Sequence, residues 1–250
     1  LTSGEFPDDG SGWEHDGQRY YFIQVYAHYL YLRLIRPALD SLARAYELTG
    51  DPEIGRRGAI LLCKIAQEWP NSTTKRNRTY HPGYGQGSGM ITDCDWSPGD
   101  FDGLVADYDK LYTAFDDPEC LAFLRTVHPE FAVSTDVHNY VENELIRAGA
   151  QACIDRVILG NHGAAELAMT RAALVLDDYG DTHPNSKDML HWVYYTAPGQ
   201  VRYLAANLLL KDGGTTESPS YNAARLSFIR LLNLVEKIRA LHPDEFPSNV

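Results

Sequence analysis

Apolar positions recur three and four apart along most of this chain, the spacing of amphipathic helices rather than the alternation of strands. In NAARLSFIRLLNLVEKIRAL (222–241), Phe228, Leu231, Leu232, Val235 and Ile238 share one helical face, with Arg230, Glu236 and Lys237 elsewhere. The run PALDSLARAYELTGDPEIGRRGAILLCKIAQEW (37–69) reads as two helices joined at TGDPE. Gly50 closes the first, Asp51 caps the second and Pro52 opens it. Further helices are expected over 17–35, 100–115, 117–126, 136–159, 164–177, 187–196, 198–211 and 220–241, with no comparable series of strands. The chain is therefore expected to be all-α, built from antiparallel helical hairpins in a bundle, a solenoid or a toroid. Periodicity does not choose among the three.

Three stretches break the pattern: LTSGEFPDDGSGWEHDG (1–17), residues 71–100, and KDGGTTESPSYN (211–222). Each mixes glycine and proline with aromatic residues, as loops do when the backbone must turn sharply beside a ligand. The middle one is too long to be a simple connector.

Composition narrows the function classes. The hydrophobic share of 44% over 250 residues permits a sizeable core, and the formal net charge of −12 disfavours nucleic acid and anionic membrane as partners. No apolar run reaches the length of a membrane-spanning helix. The chain starts at Leu1, and it is read as one domain, residues 1–250, cut from a longer protein. Cys63, Cys94, Cys120 and Cys153 show no CxxC pairing and read as core thiols. His15, His28, His138, His183 and His191 show no metal-ligand spacing, so no metal or other cofactor is expected in this domain.

Candidate chemistry gathers in the interruptions. In GNHGAAELAMT (160–170), Asn161 and His162 stand between two glycines at the start of a helix, where free N–H groups and the helix dipole favour an anion. Alternatively, Asn161 is an ordinary N-cap. In DGGTTESPSYN (212–222), Glu217, Ser220 and Tyr221 precede the last amphipathic helix, where Ser218 and Pro219 also suit a simple helix start. Together the two segments supply an amide donor, an imidazole and a phenol, a set suited to proton abstraction beside a carboxylate. KRNRTYHPGYGQGSGM (75–90) combines Arg78 with Tyr80, His81 and Tyr84, which fits a polyanionic sugar through cations and aromatic faces and equally fits a solvated basic run. Loop carboxylates Asp8, Asp9, Asp93 and Asp95 offer a competing acid–base pair for glycoside hydrolysis, although loop aspartates are more often turn residues. Trp192, Tyr194 and Tyr195 line a sugar groove on one reading and pack helices on the other.

FPDDGSGW (6–13), GNHG (160–163) and DGGTTESPSY (212–221) resemble the helical domain of the heparinase II/III-like polysaccharide lyases, a grouping that includes alginate and heparin lyases. The resemblance implies an incomplete α/α toroid, followed in the full-length chain by C-terminal β-sandwich domains. It implies a periplasmic or secreted enzyme that cleaves a uronic-acid polysaccharide by β-elimination. Three tasks follow: neutralise the uronate carboxylate, remove the adjacent ring proton, and protonate the leaving glycosidic oxygen. By resemblance Asn161 neutralises the carboxylate, His162 assists as neutraliser or base, and Tyr221 is the acid and a second candidate for the base. Arg78, Tyr80, His81, Tyr84 and Glu217 would contact substrate. The rival readings are a toroid glycoside hydrolase using Asp8, Asp93 or Glu217, and a non-catalytic glycan-binding or scaffold domain.

Overall fold

The computed structural model describes residues 2–71, 97–158, 163–177, 182–196, 201–208, 210, 214, 226–241 and 243–244. These are mostly helical, as the periodicity requires. Strands β1 (Trp13–His15) and β2 (Gln18–Tyr20) come first, then α1 (Phe22–Leu30) and a π-helical segment (Tyr31–Ile35). They are followed by α2 (Arg36–Thr49), α3 (Pro52–Glu68), α4 (Ser97–Leu111), α5 (Pro118–Leu124) and α6 (Ser134–Val141). A second π segment (Glu142–Arg147) leads into α7 (Ala148–Ile154), with α8 (Ala164–Val175), α9 (Ser186–Tyr195), α10 (Val201–Leu208) and α11 (Leu226–Leu241) beyond it.

The α2–α3 junction forms as the sequence dictates. Gly50 takes the left-handed conformation at φ 65°, and the Asp51 carboxylate accepts the Glu53 N–H at 2.9 Å ahead of Pro52. The same Asp-Pro-Glu device starts α5, where Asp117 accepts from the Glu119 N–H at 2.8 Å. Arg56 ties the two helix starts together through Asp117 at 3.1 Å, Glu53 at 3.0 Å and Glu119 at 2.6 Å.

One expectation needs correction. Residues 18–20, expected in the first helix, pair as a strand, with Trp13 opposite Tyr20, Glu14 opposite Arg19 and His15 opposite Gln18. Asp16 and Gly17 both have positive φ, 49° and 74°, so this Asp-Gly pair makes the tight hairpin turn that the dipeptide favours. Helix begins only at Phe22.

The core is built around α4, which packs against α2, α3 and α8, and its Phe101, Leu104, Val105, Tyr108 and Leu111 are fully buried. Leu39, Leu62, Trp69 and Phe115 join them at zero exposure. Cys63, Cys120 and Cys153 are buried free thiols, as expected, while Cys94 lies outside the described residues. Burial pushes the Cys63 thiol up to about 12 and Cys120 to about 11, which keeps both unreactive at neutral pH.

Helix α7 approaches α4 at Gly149, where an added Cβ would lie 2.4 Å from Cε2 of the buried Phe101 ring. Overpacking of this kind costs about 1–3 kcal/mol, more than the roughly 0.5–1 kcal/mol a helix gains from Gly→Ala. Gly149→Ala is therefore expected to lower the urea midpoint. Gly99→Ala, whose Cβ meets nothing within 4 Å, is expected to leave it unchanged or raise it. Equal shifts in the two variants would show that the Phe101 contact gives way freely.

Candidate functional site

Asn161, His162, Tyr221, Glu217, Arg78, Tyr80, His81 and Tyr84 all lie outside the described residues, as do Asp93 and Asp95. What is described is the framework that carries the first two motifs. Helix α8 begins at Ala164, directly after the last glycine of GNHG, and α11 begins at Leu226, five positions beyond Tyr221. The two helices pack against each other.

Gly163 is the N-cap of α8, with φ 92°, a left-handed conformation that suits glycine. Asn161 therefore stands two positions ahead of the cap and is not itself the N-cap residue. The Gly163 N–H donates to Glu166 Oε2 at 2.9 Å, so a carboxylate three residues into the helix holds the turn by which the chain leaves the Asn-His pair. Glu166 is only 5% exposed. Burial raises its carboxyl to about 7, against the opposing pull of its own N–H and that of Gly163. With its pKa raised by burial, this group carries less negative charge near neutral pH than an exposed glutamate and opposes an anion at the helix start less.

The sequence reading did not single out Glu166, nor a chain of buried polar groups along α4. Arg36 donates to Asp107 at 2.6 Å and Asp100 at 3.1 Å, and the Tyr31 hydroxyl donates to Asp100 at 2.9 Å, which fixes α2 and the first π segment to α4. Asp102 accepts from Arg171 of α8 at 2.7 Å and feels the charge of Arg230 in α11, so one α4 carboxylate engages both motif-bearing helices.

Farther along α4, the buried Tyr108 hydroxyl donates to Glu142 Oε1 at 2.7 Å and lies 3.0 Å from His138 Nδ1. Tyr112 donates to Asp177 at 2.5 Å, just past α8. Glu142 and Arg147 bracket the second π segment. The wider π turn brings residues five apart toward one face, which an α-helix does not. Both side chains reach the connection between α8 and α9. Arg147 donates to the carbonyls of Asp177 at 3.3 Å, Thr182 at 3.0 Å and Pro184 at 2.8 Å, and Glu142 accepts the Asp177 N–H at 3.5 Å. Burial raises Glu142 to about 7 and lowers His138 below the usual imidazole range. A signal for this cluster was present: Asp107, Tyr108, His138 and Glu142 occupy positions on otherwise apolar helical stripes, where a polar group must find a partner.

Of the two described candidates for the hydrolase reading, Asp9 accepts from the Ser11 N–H at 2.9 Å and the Ser11 hydroxyl at 2.6 Å, and Asp8 is 1% exposed and organises a turn. Its two oxygens accept the N–H groups of Gly10 at 2.8 Å, Gly12 at 3.0 Å and Ile23 at 3.0 Å, and these bonds, Ile23 foremost, hold it below the usual carboxylate range. Such a group is a poor proton donor at neutral pH. Trp192 and Tyr194 are buried helix-packing residues, whereas Tyr195 is 44% exposed. Of the five histidines without metal-ligand spacing, His138 is buried, His28 is half-buried, and His15, His183 and His191 are exposed. Among the described residues, no group of three or more His, Cys, Asp or Glu could hold a metal, and no helix is long and apolar enough to cross a membrane.

No family model, no curated protein and no solved structure matches this chain.

Proposed function

We propose that this chain is the helical domain of a polysaccharide lyase, an incomplete α/α toroid, that cleaves an acidic, uronate-containing glycan by β-elimination. The observation that supports this most directly is the packing of α8 against α11, since these are the helices whose entries carry GNHG and DGGTTESPSY. In this mechanism the Asn161 amide binds the uronate carboxylate, and its hydrogen bond strengthens as enolate-like charge develops. His162 or Tyr221 removes the ring proton, and Tyr221 delivers a proton to the leaving oxygen. A phenol is protonated at neutral pH and needs no shift to act as the acid. Glu166, through Gly163, fixes the backbone by which the Asn-His pair joins α8. The C-terminal domains of the same full-length chain would complete the groove.

The test is to incubate the full-length protein with alginate, heparan sulfate, chondroitin and polygalacturonate, following near-ultraviolet absorbance and reducing ends together. Elimination raises both, because the new chain end is unsaturated. New reducing ends without absorbance would indicate hydrolysis instead, and binding without turnover would indicate a glycan-binding domain. On the substrate that responds, Asn161→Ala is expected to lower kcat by about 10²-fold with a much smaller change in KM, since losing one oxyanion donor costs roughly 3 kcal/mol. Unchanged kcat would remove Asn161 from the mechanism.

A further inference from the structure

Helix α1 and the π segment after it are strongly apolar yet largely uncovered. Tyr31 is buried, but Tyr26 is 62% exposed, Tyr29 56% and Phe22 39%. Phe22, Tyr26, Tyr29 and Arg33 are spaced four, three and four apart, so they form one narrow line along the helix, roughly 16 Å from end to end. The Arg33 guanidinium lies 5.9 Å from the centre of the Tyr29 ring and, among the described residues, makes no ion pair. At the head of the line, Phe22 joins an aromatic group on the hairpin, with the Trp13 ring 6.1 Å away and Tyr20 5.5 Å from Trp13.

Charge says what such a line would accept. The protein has 34 acidic residues, yet none falls between Asp16 and Asp40, an interval that holds Arg19, His28, Arg33 and Arg36. Arg19 is paired with Glu14 and Arg36 with Asp100 and Asp107, so among the described residues Arg33 is the cation that this line offers to a polyanion. Exposed phenols present a flat apolar face with a polar edge, which suits a sugar ring better than the aliphatic knobs of a protein core. The line is one side chain wide, the width of a single glycan strand; the exposed Leu32, Leu34 and Ile35 lie off it.

We propose that the line of Phe22, Tyr26, Tyr29 and Arg33, none of them part of the GNHG or SPSY segments, is a binding platform for an acidic polysaccharide chain. The identity of the occupant rests on the lyase reading above. The platform holds a long chain by ring stacking and by Arg33 while another part of the chain is processed, so it affects polymer affinity and not the chemical step.

The test uses the full-length protein, the double variant Tyr26→Ala/Tyr29→Ala and the single variant Arg33→Gln. Affinity electrophoresis is run in gels cast with alginate, heparan sulfate or polygalacturonate, and with dextran as the uncharged control. For at least one acidic polymer, each variant is expected to bind about tenfold more weakly, with unchanged thermal midpoints and dextran mobility. Turnover of a uronate tetrasaccharide from that polymer is expected to equal wild type. Variants that bind every acidic polymer as wild type does would overturn the platform while leaving the lyase reading intact. Polymer binding lost in the variants, from a wild-type protein that eliminates nothing, would uphold the platform and sink the lyase reading. A wild-type dimer in sedimentation velocity that Tyr26→Ala/Tyr29→Ala makes monomeric would overturn the platform by assigning the face to a second copy.

Discussion

Tyr221→Phe is expected to reduce turnover of an acidic polysaccharide by about 10²–10⁴-fold, the range in which general acid–base groups contribute, while the thermal midpoint stays near wild type. The substitution removes one hydroxyl and keeps almost all the apolar area of the ring, so it separates chemistry from packing. A helix-packing tyrosine with no chemical role would tolerate the change in both measurements. If Tyr221 is the acid and His162 the base, the loss should be smallest on a substrate whose leaving group needs no proton. A 4-nitrophenyl leaving group tests this directly. A folded variant with near-normal turnover on the natural polymer would defeat the assignment of the acid, and an equal loss on both substrates would place Tyr221 at proton removal instead.

The second large effect concerns stability against pH. Glu142 is fully buried, its Oε2 has no hydrogen-bond partner among the described residues, and burial lifts its carboxyl from the ordinary 4.5 to about 7. An acid whose pKa is higher in the folded state binds its proton more tightly there, so its contribution to stability is fully present below pH 4.5 and is lost as pH rises through 7. At about 1.36 kcal/mol for each pH unit between the two values, ionising Glu142 costs on the order of 3 kcal/mol by pH 8. Glutamine keeps an acceptor for the Tyr108 hydroxyl and has no charge to bury. Glu142→Gln is therefore expected to lose less stability than wild type between pH 5 and pH 8. At about 2–4 °C per kcal/mol for a chain of this size, the two profiles should converge by several degrees or cross. His138 works in the opposite direction, because burial depresses its pKa and stability falls as it protonates at low pH; it is common to both proteins and cancels in the comparison. Parallel profiles would mean that Glu142 is ionised in the folded protein at little cost.

The fold was legible wherever local chemistry decides it. Gly50, Asp51 and Pro52 act at the α2–α3 junction through backbone conformation and a single carboxylate, all readable from three adjacent residues. The stripes of α3 and α4 were readable for the same reason, since burial follows the helical period. The hairpin at Asp16-Gly17 was missed because its strands are three residues long and mostly exposed, too short for alternation to stand out from the helical pattern that follows. The buried pairs were missed for a different reason. Arg36 meets Asp107 across 71 positions and Tyr108 meets Glu142 across 34, and nothing local states which distant helix supplies the partner. For the site, the expected start of α8 at Ala164 is the observed one, but the cap is Gly163, and the restraint on it comes from Glu166, which nothing in the local sequence sets apart from other acids in a first helical turn.

The π segment from Glu142 to Arg147 has consequences for descent as well as for structure. A π turn contains one residue more than the α-helical path it replaces, so this stretch is equivalent to a single-residue insertion in a regular helix. The insertion lets Glu142 and Arg147 meet the same connection between α8 and α9, and removing one residue would rotate one of them away from it. Relatives that keep the clamp should therefore keep both residues at a separation of five. Those that lack the extra residue should align with a one-residue gap here, and they should have replaced Arg147, because a buried guanidinium turned away from the carbonyls it donates to is costly.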